Sequence, residues 1–238
     1  MTSRALAVLG AYDADHPCLT LTELAGRAGL PLTTTHRLVA GLADWGALER
    51  RPDGSYVVGR RLWHLGLLAP VSRELRDVAL PFLQDISAAT GENAHLAVRD
   101  GTTALYVERI SGRASVPIVS RTGSRLPLHA TGVGKVLLAH APAGVVDAAL
   151  QRLRRLTPYT VVEPGTLRRQ LAEVRRRGYA LTGEEMTVGT GSVAVPVVTG
   201  TGEVFAALGV VAATSRRDLV RLVPALDVAA RGISRSVR

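Results

Sequence analysis

Cysteine is almost missing from this chain. Cys18 stands alone among 238 residues, which excludes an internal disulfide framework and a cysteine-built metal cluster. No apolar run is long enough to cross a bilayer. The opening MTSRALAVLGAYDADHP carries an apolar stretch too short, and too soon met by acids, for a signal peptide. The expectation is a cytoplasmic protein with no membrane contact. Lysine is as scarce as cysteine: Lys135 faces 28 arginines, so the formal net charge of +9 is an arginine excess to which genomic base composition can contribute. Nor is that excess at the N-terminus. Residues 1–68 hold seven arginines and six acids, a net of +1, while Arg152/Arg154/Arg155 and Arg175–Arg177 carry the bias further on.

What the first sixty residues do hold is helical periodicity. In SRALAVLGAY, the residues Ala5, Val8, Leu9 and Tyr12 fall on one face of a helix. In TLTELAGRAGLP, Thr20 and Glu23 have the spacing of a capping box, in which hydroxyl and carboxylate each satisfy an end group of the first turn. Gly29 is expected to end that helix and Pro31 to restart the chain. TTTHRLVAGLADWG predicts a third helix that buries Leu38, Leu42 and Trp45 and stops at Gly46. Two helices across a tight glycine-containing turn are the helix-turn-helix pattern. ALERRPDGSYVVG then predicts a hairpin around Asp53-Gly54, which completes a winged helix-turn-helix over residues 1–60.

The early exposed positions of the third helix are Thr33, Thr34, His36 and Arg37, without an acid among them. Hydroxyls suit bases or phosphates, and an arginine fork matches guanine O6/N7 in the major groove. Arg50 and Arg51 at the hairpin base are placed to touch phosphate backbone. The competing use of such a domain is protein contact, which an apolar or acidic reading face would favour.

From Arg60 to Ile86 the pattern is helical, with Leu62, Leu65 and Leu68 on one edge, and Leu75, Val78, Phe82 and Ile86 on another. Pro70 and Pro81 are expected to break or restart it, because proline lacks the N–H and clashes one turn back. Residues 61–76 are therefore assigned to a linker helix and 77–238 to a second domain. There ENAHLAVRDGTTALYVERI alternates around Asp100-Gly101 as an antiparallel hairpin, and SVPIVS predicts another strand. LPLHATGVGKVLLAH follows, then two helices (AGVVDAALQRL and TLRRQLAEVRRRG), the strands SVAVPVV and VFAALGVVAAT, and a last amphipathic helix from about Arg216 to Val237. Hairpins with helices grouped between them predict an α+β fold.

Catalytic motifs are missing from that second domain. A Walker A loop fails at His129 and Val136, and GTGSVAV is not a nucleophile elbow. Glu184 and Glu185 read as solvated charge in a loop, His129 as a residue that orients its loop by hydrogen bonding, and Lys135 as structural or as a charge on a pocket rim. His95, His129 and Glu184/Glu185 have no metal-ligand spacing. No catalytic residue, metal site or cofactor is expected.

Three stretches in order, ALAVLGAY…LTLTELAGRAGLPLTTTHRLVAGLADWGALER, LPLHATGVGKVLLA and RRRGYALTGEEMTVGTGSVAVPV, resemble the IclR family of bacterial transcriptional regulators over nearly the whole chain. The resemblance implies a GAF-like C-terminal domain that binds a small organic effector. It also implies dimers or tetramers acting on operator DNA as repressors or activators. Family effector contacts fall on Thr131, Gly132 and Val133, on Thr182, Thr190 and Ser192, and on Gly209 and Val211. A helix N-terminus at Gly132 would suit an anion, through orphan N–H groups and the positive dipole end. The chain departs from carboxylate-binding members near Thr182, where an acid is absent, and at Gly209 and Val211, where serines are replaced. Those departures predict a larger or more apolar ligand than a small keto acid. The expected partners are double-stranded operator DNA, that effector and further copies of the chain. The competing function is a GAF-like sensor or enzyme whose winged helix serves protein contacts.

Overall fold

In the computed structural model, which describes residues 2–13, 15–66, 70–113, 116, 118–215 and 218–237 (70–73 by backbone alone), local signals decide the first elements. These are α1 (Thr2–Leu9), β1 (Cys18–Leu19), α2 (Leu21–Ala28) and α3 (Leu32–Asp44). The capping box forms: Thr20 Oγ1 accepts from Glu23 N at 3.3 Å, and Glu23 Oε2 accepts from Thr20 N at 2.7 Å. Gly29 closes α2 at φ 66, a left-handed geometry that a side chain would strain. β2 (Leu48–Arg50) and β3 (Tyr56–Val58) form the wing, with β1 on the far side of β3 in an antiparallel sheet. Val8, Leu19, Leu24, Leu38, Val39 and Leu48 make the core. Trp45 is not part of it. The ring is 42% exposed, with the Arg61 guanidinium stacked 4.2 Å above it, because helix α3 has already ended at Asp44.

The chain divides into two compact units, Met1–Arg73 and Glu74–Arg238. α4 (Arg60–Gly66) and α5 (Pro70–Thr90) occupy the stretch around the division, while Leu68 lies outside the described residues. Pro70 begins α5, but Pro81 does not break it. An interior proline costs about 3 kcal/mol. Burial of Leu75, Leu83 and Ile86 on one stripe is worth about 1.5–3 kcal/mol each, so packing wins.

The second unit runs β4 (Asn93–Asp100), β5 (Thr103–Ile110), β6 (Arg125–Pro127), a 3-10 turn at Leu128–Ala130, α6 (Gly132–Ala139), α7 (Ala143–Leu150), α8 (Pro164–Arg177), β7 (Ala180–Gly183), β8 (Thr190–Val198), β9 (Val204–Ala213), a 3-10 turn at Leu219–Leu222 and α9 (Val223–Ser236). The final helix starts later than expected; Arg216 lies outside the described residues. SVPIVS is not a strand where it is described, at 116 and 118–120; the β5 edge is taken instead by β6. The six strands form an antiparallel sheet in the order β6-β5-β4-β9-β8-β7. One face packs against α5 and α9, the other against α6, α7 and α8. A bulge at Val107 breaks the β4–β5 register, so that Ala97 pairs with Tyr106 while Leu96 pairs with Glu108. Such an insertion re-aims side chains. Glu108 turns to Arg76 of α5, whereas Tyr106 and Arg109 share the other face with His95.

Candidate functional site

The first unit offers a polar helix start and a basic wing. Thr33, His36 and Arg37 are exposed at the beginning of α3 and Thr34 is half-buried, with no acid in the first turn. Thr35 turns inward and its hydroxyl donates to the Pro31 carbonyl at 3.1 Å, which fixes the rotation of the helix. Arg50 and Arg51 are exposed where the wing turns; the Arg50 guanidinium lies 6.0 Å from the Tyr56 ring centre, and Arg51 N donates to Ser55 O at 2.8 Å. Asp53 is occupied by Ser55, whose N and Oγ both donate to Asp53 Oδ1, at 2.9 and 2.5 Å.

The second unit holds a cavity between the sheet and the start of α6, about 490 Å³ with the open solvent at its mouth included. Thr131, Gly132, Val133, Thr182, Thr190, Ser192, Gly209 and Val211 all line it. Thr131 caps α6, its Oγ1 accepting from Gly134 N at 3.1 Å. Gly132 N donates to Ser192 Oγ at 3.1 Å, and Ser192 Oγ sits 2.6 Å from Thr182 Oγ1. Two of the first three helix amides are therefore satisfied within the protein, and the Val133 amide is the one left for a ligand among the described residues. Gly209 has a steric reason. A Cβ there would lie 2.9 Å from Val133 Cγ1, so the missing side chain on β9 is what lets α6 settle on the sheet. Gly132 matches it from the helix side, where a Cβ would lie 2.6 Å from Ser192 Oγ.

The profile described as "Bacterial transcriptional regulator IclR C-terminal" matches residues 69–235, and the "IclR helix-turn-helix domain" matches residues 2–52. The transcriptional regulator XynR of Escherichia coli K12 is 35% identical over 218 residues, 90% of this chain and 86% of its own. The chain belongs to the IclR family. The repressor AllR of Klebsiella pneumoniae is another relative, 31% identical over 92% of this chain and 82% of its own. Among solved structures, an IclR homolog from Microbacterium hydrocarbonoxydans complexed with 4-hydroxybenzoate superposes with a TM-score of 0.94 at 35% identity, covering 100% of this chain and 98% of that one. The Thermotoga maritima IclR gives 0.78 at 28%, covering 99% and 98%. The first unit is thus an IclR helix-turn-helix domain and the second the family's GAF-like effector domain. The role is regulatory and not enzymatic, as in the relatives.

Sequence reasoning on this IclR-family chain weighed His95 only as a metal ligand and missed Tyr106 and Ser120; all three are buried polar residues in the cavity. Ser120 Oγ lies 3.2 Å from His95 Nε2, and the His95 and Tyr106 rings meet edge-on at 5.3 Å. Burial, with help from Arg109, pushes His95 down to about 3, and burial lifts Tyr106 to about 12 against the opposing influence of Thr131. Both are neutral near pH 7, so they offer the cavity uncharged hydrogen-bonding groups. His129 stands outside the cavity, and its Nε2 donates to the Arg154 carbonyl at 2.9 Å. One expectation needs correction: Glu185 is not solvated. Lys135 is structural, one of the two readings given for it, and does not stand on the cavity rim. Their side chains, 1% and 6% exposed, form an ion pair at 2.5 Å behind the cavity wall. Among the described residues no group of three or more His, Cys, Asp or Glu could share a metal ion.

Proposed function

We propose that the chain is an effector-controlled regulator that binds a palindromic operator as a dimer or tetramer. Residues 1–60 are its reading head, 61–76 a connecting helix and 77–238 its sensor. Thr33, Thr34, His36 and Arg37 read bases or sugar-phosphate in the major groove, and Arg50 and Arg51 hold the backbone. The effector enters the α6 cavity, contacting Thr131, Gly132, Val133, Thr182, Thr190, Ser192, Gly209 and Val211. The observation that carries the effector class is the mixed lining of the cavity. The Val133 amide at the α6 start suits one carboxylate, while neutral His95, Tyr106 and Ser120 suit an uncharged polar group. Val119, Met186 and Val211 in the same lining favour an apolar body. An aromatic monocarboxylate with a hydroxyl fits that description, and the relative from Microbacterium hydrocarbonoxydans is complexed with 4-hydroxybenzoate.

Effector binding and DNA binding are linked by a coupling of about 1–3 kcal/mol, a 5- to 150-fold change in operator affinity. The test is fluorescence anisotropy on a palindromic duplex taken from the sequence upstream of the gene, with and without 4-hydroxybenzoate or a two-carbon keto acid. A salt-dependent complex whose affinity moves with the aromatic acid alone supports the reading. A response to the two-carbon acid alone refutes the effector class, and no duplex binding refutes the reading head. Arg37→Ala should cost about 1–3 kcal/mol at one base step if it reads a base; uniform weakening on every duplex would reassign it to phosphate.

A further inference from the structure

The buried Lys135–Glu185 pair belongs to neither the DNA face nor the cavity lining, yet it connects two parts of the cavity. Lys135 lies two residues beyond Val133 on α6, so it moves with the cavity floor. Its Nζ donates to Glu185 Oε1 at 2.5 Å and to Gln170 Oε1 of α8 at 2.7 Å. Glu185 immediately precedes Met186 and Thr187, which form the cavity wall. From the other side, Thr160 Oγ1 donates to the Glu185 carbonyl and Thr157 Oγ1 to the Glu184 carbonyl, both at 2.7 Å. Glu184 itself takes φ 56, the left-handed region that a non-glycine residue occupies only when held there, and its Oε1 accepts from Gly189 N at 2.7 Å.

Burying this pair is a poor way to gain stability. Desolvation of two charges offsets most of their attraction, and apolar replacements of similar volume are often neutral or stabilising. Glu185 Oε2 even lacks a partner among the described residues. What an ion pair supplies and a pair of apolar side chains does not is direction, since one ammonium must meet one carboxylate oxygen.

We infer that Lys135 and Glu185 are positioning residues for the effector site, a strut that holds the 184–189 wall turn at a fixed distance from the α6 floor and so sets the width of the cavity. The inference rests on the reading of that cavity as the effector site. The test compares the full chain with its Lys135→Met/Glu185→Leu variant by amide hydrogen exchange without ligand. The expected result is an unchanged or raised unfolding temperature, about tenfold faster exchange at 184–190, and unaltered exchange in α9. Glu185→Gln, which can still accept from Nζ, should keep the slow exchange. Wild-type exchange at 184–190 in the double variant, or acceleration spread evenly through the second unit, would overturn the strut. Should the double variant not fold, Lys135→Met alone faces the same two outcomes. Exchange decides the strut whether or not 4-hydroxybenzoate binds, whereas failure of the wild type to bind it removes only the proposed effector class. If the wild type binds, the double variant should do so about tenfold more weakly, and equal affinity would refute a role in setting the cavity.

Discussion

The two faces of the six-stranded sheet are built from the same strands and do opposite things. Toward α5 and α9 the strands present Leu96, Val193, Val195, Val197, Leu208 and Val210, all without exposed area. Toward α6 the neighbouring positions are His95, Ala97, Ser192, Ala194, Ala207 and Gly209. Large branched side chains fill the first face to closure, as interiors at crystal-like density require. Small ones on the second leave room for the α6 start and for a cavity beside it. Strands buried on both sides show no polar alternation, so the difference between the faces is one of volume more than of hydropathy. Both layers are packed cores, and the small strand residues of the second leave the cavity beside the α6 start.

The comparison can be broken from either side. Leu208→Ala on the closed face should cost about 2–5 kcal/mol in urea unfolding, with ligand affinity per folded molecule unchanged; a loss below 1 kcal/mol would mean that the face is not tightly packed. Gly209→Val on the open face should cost about 1–3 kcal/mol by overpacking against Val133, and should also abolish any thermal shift on adding ligand. Retained binding would show that the space at Gly209 is not needed.

Protonation separates the faces too, since His95 lies on the open one. Its value falls from 6.5 to about 3 through burial first and Arg109 second. Between those values the unfolded chain takes up a proton that the folded chain refuses, so stability falls as pH falls, by up to about 1.4 kcal/mol per pH unit. His129, also lowered chiefly by burial, adds in the same direction. His95→Gln should flatten the decline between pH 6.5 and 5 by at most one proton's worth, read from urea unfolding at several pH values. An unchanged slope would mean that the ring is free to protonate in the fold. The smallest effect expected is that of Ser192→Ala, about 1 kcal/mol of stability, because Gly132 N–H loses its acceptor. A neutral substitution would imply that water replaces the hydroxyl.

Much of this was legible in order of locality. Thr20 and Glu23 are three residues apart, and Asp100-Gly101 is one turn, so local rules sufficed for both. The alternation around His95 showed which residues share its face, but not that a bulge at Val107 would bring Tyr106 beside it, because a bulge is set by pairing across strands. The eight positions implied by family resemblance do converge on one cavity, yet their local pattern alone would not have gathered them. Lys135 and Glu185 are 50 residues apart, and neither by itself shows that the other is its partner. Pro81 and Trp45 misled for the same reason, since a helix persists or a ring is exposed according to what packs against it.

Lys135 is the only lysine in the chain, and it is sealed inside α6. A lysine-specific protease therefore has a single peptide bond to cut, after Lys135, and a folded molecule withholds it. Acylating reagents likewise meet one side-chain amine in this sequence, and it is hidden. The appearance of a cut or an acylated ε-nitrogen would count openings of the effector unit, molecule by molecule, at a rate governed by the population of the open form when reclosing is fast. The chain carries its own unfolding reporter at the floor of its sensor.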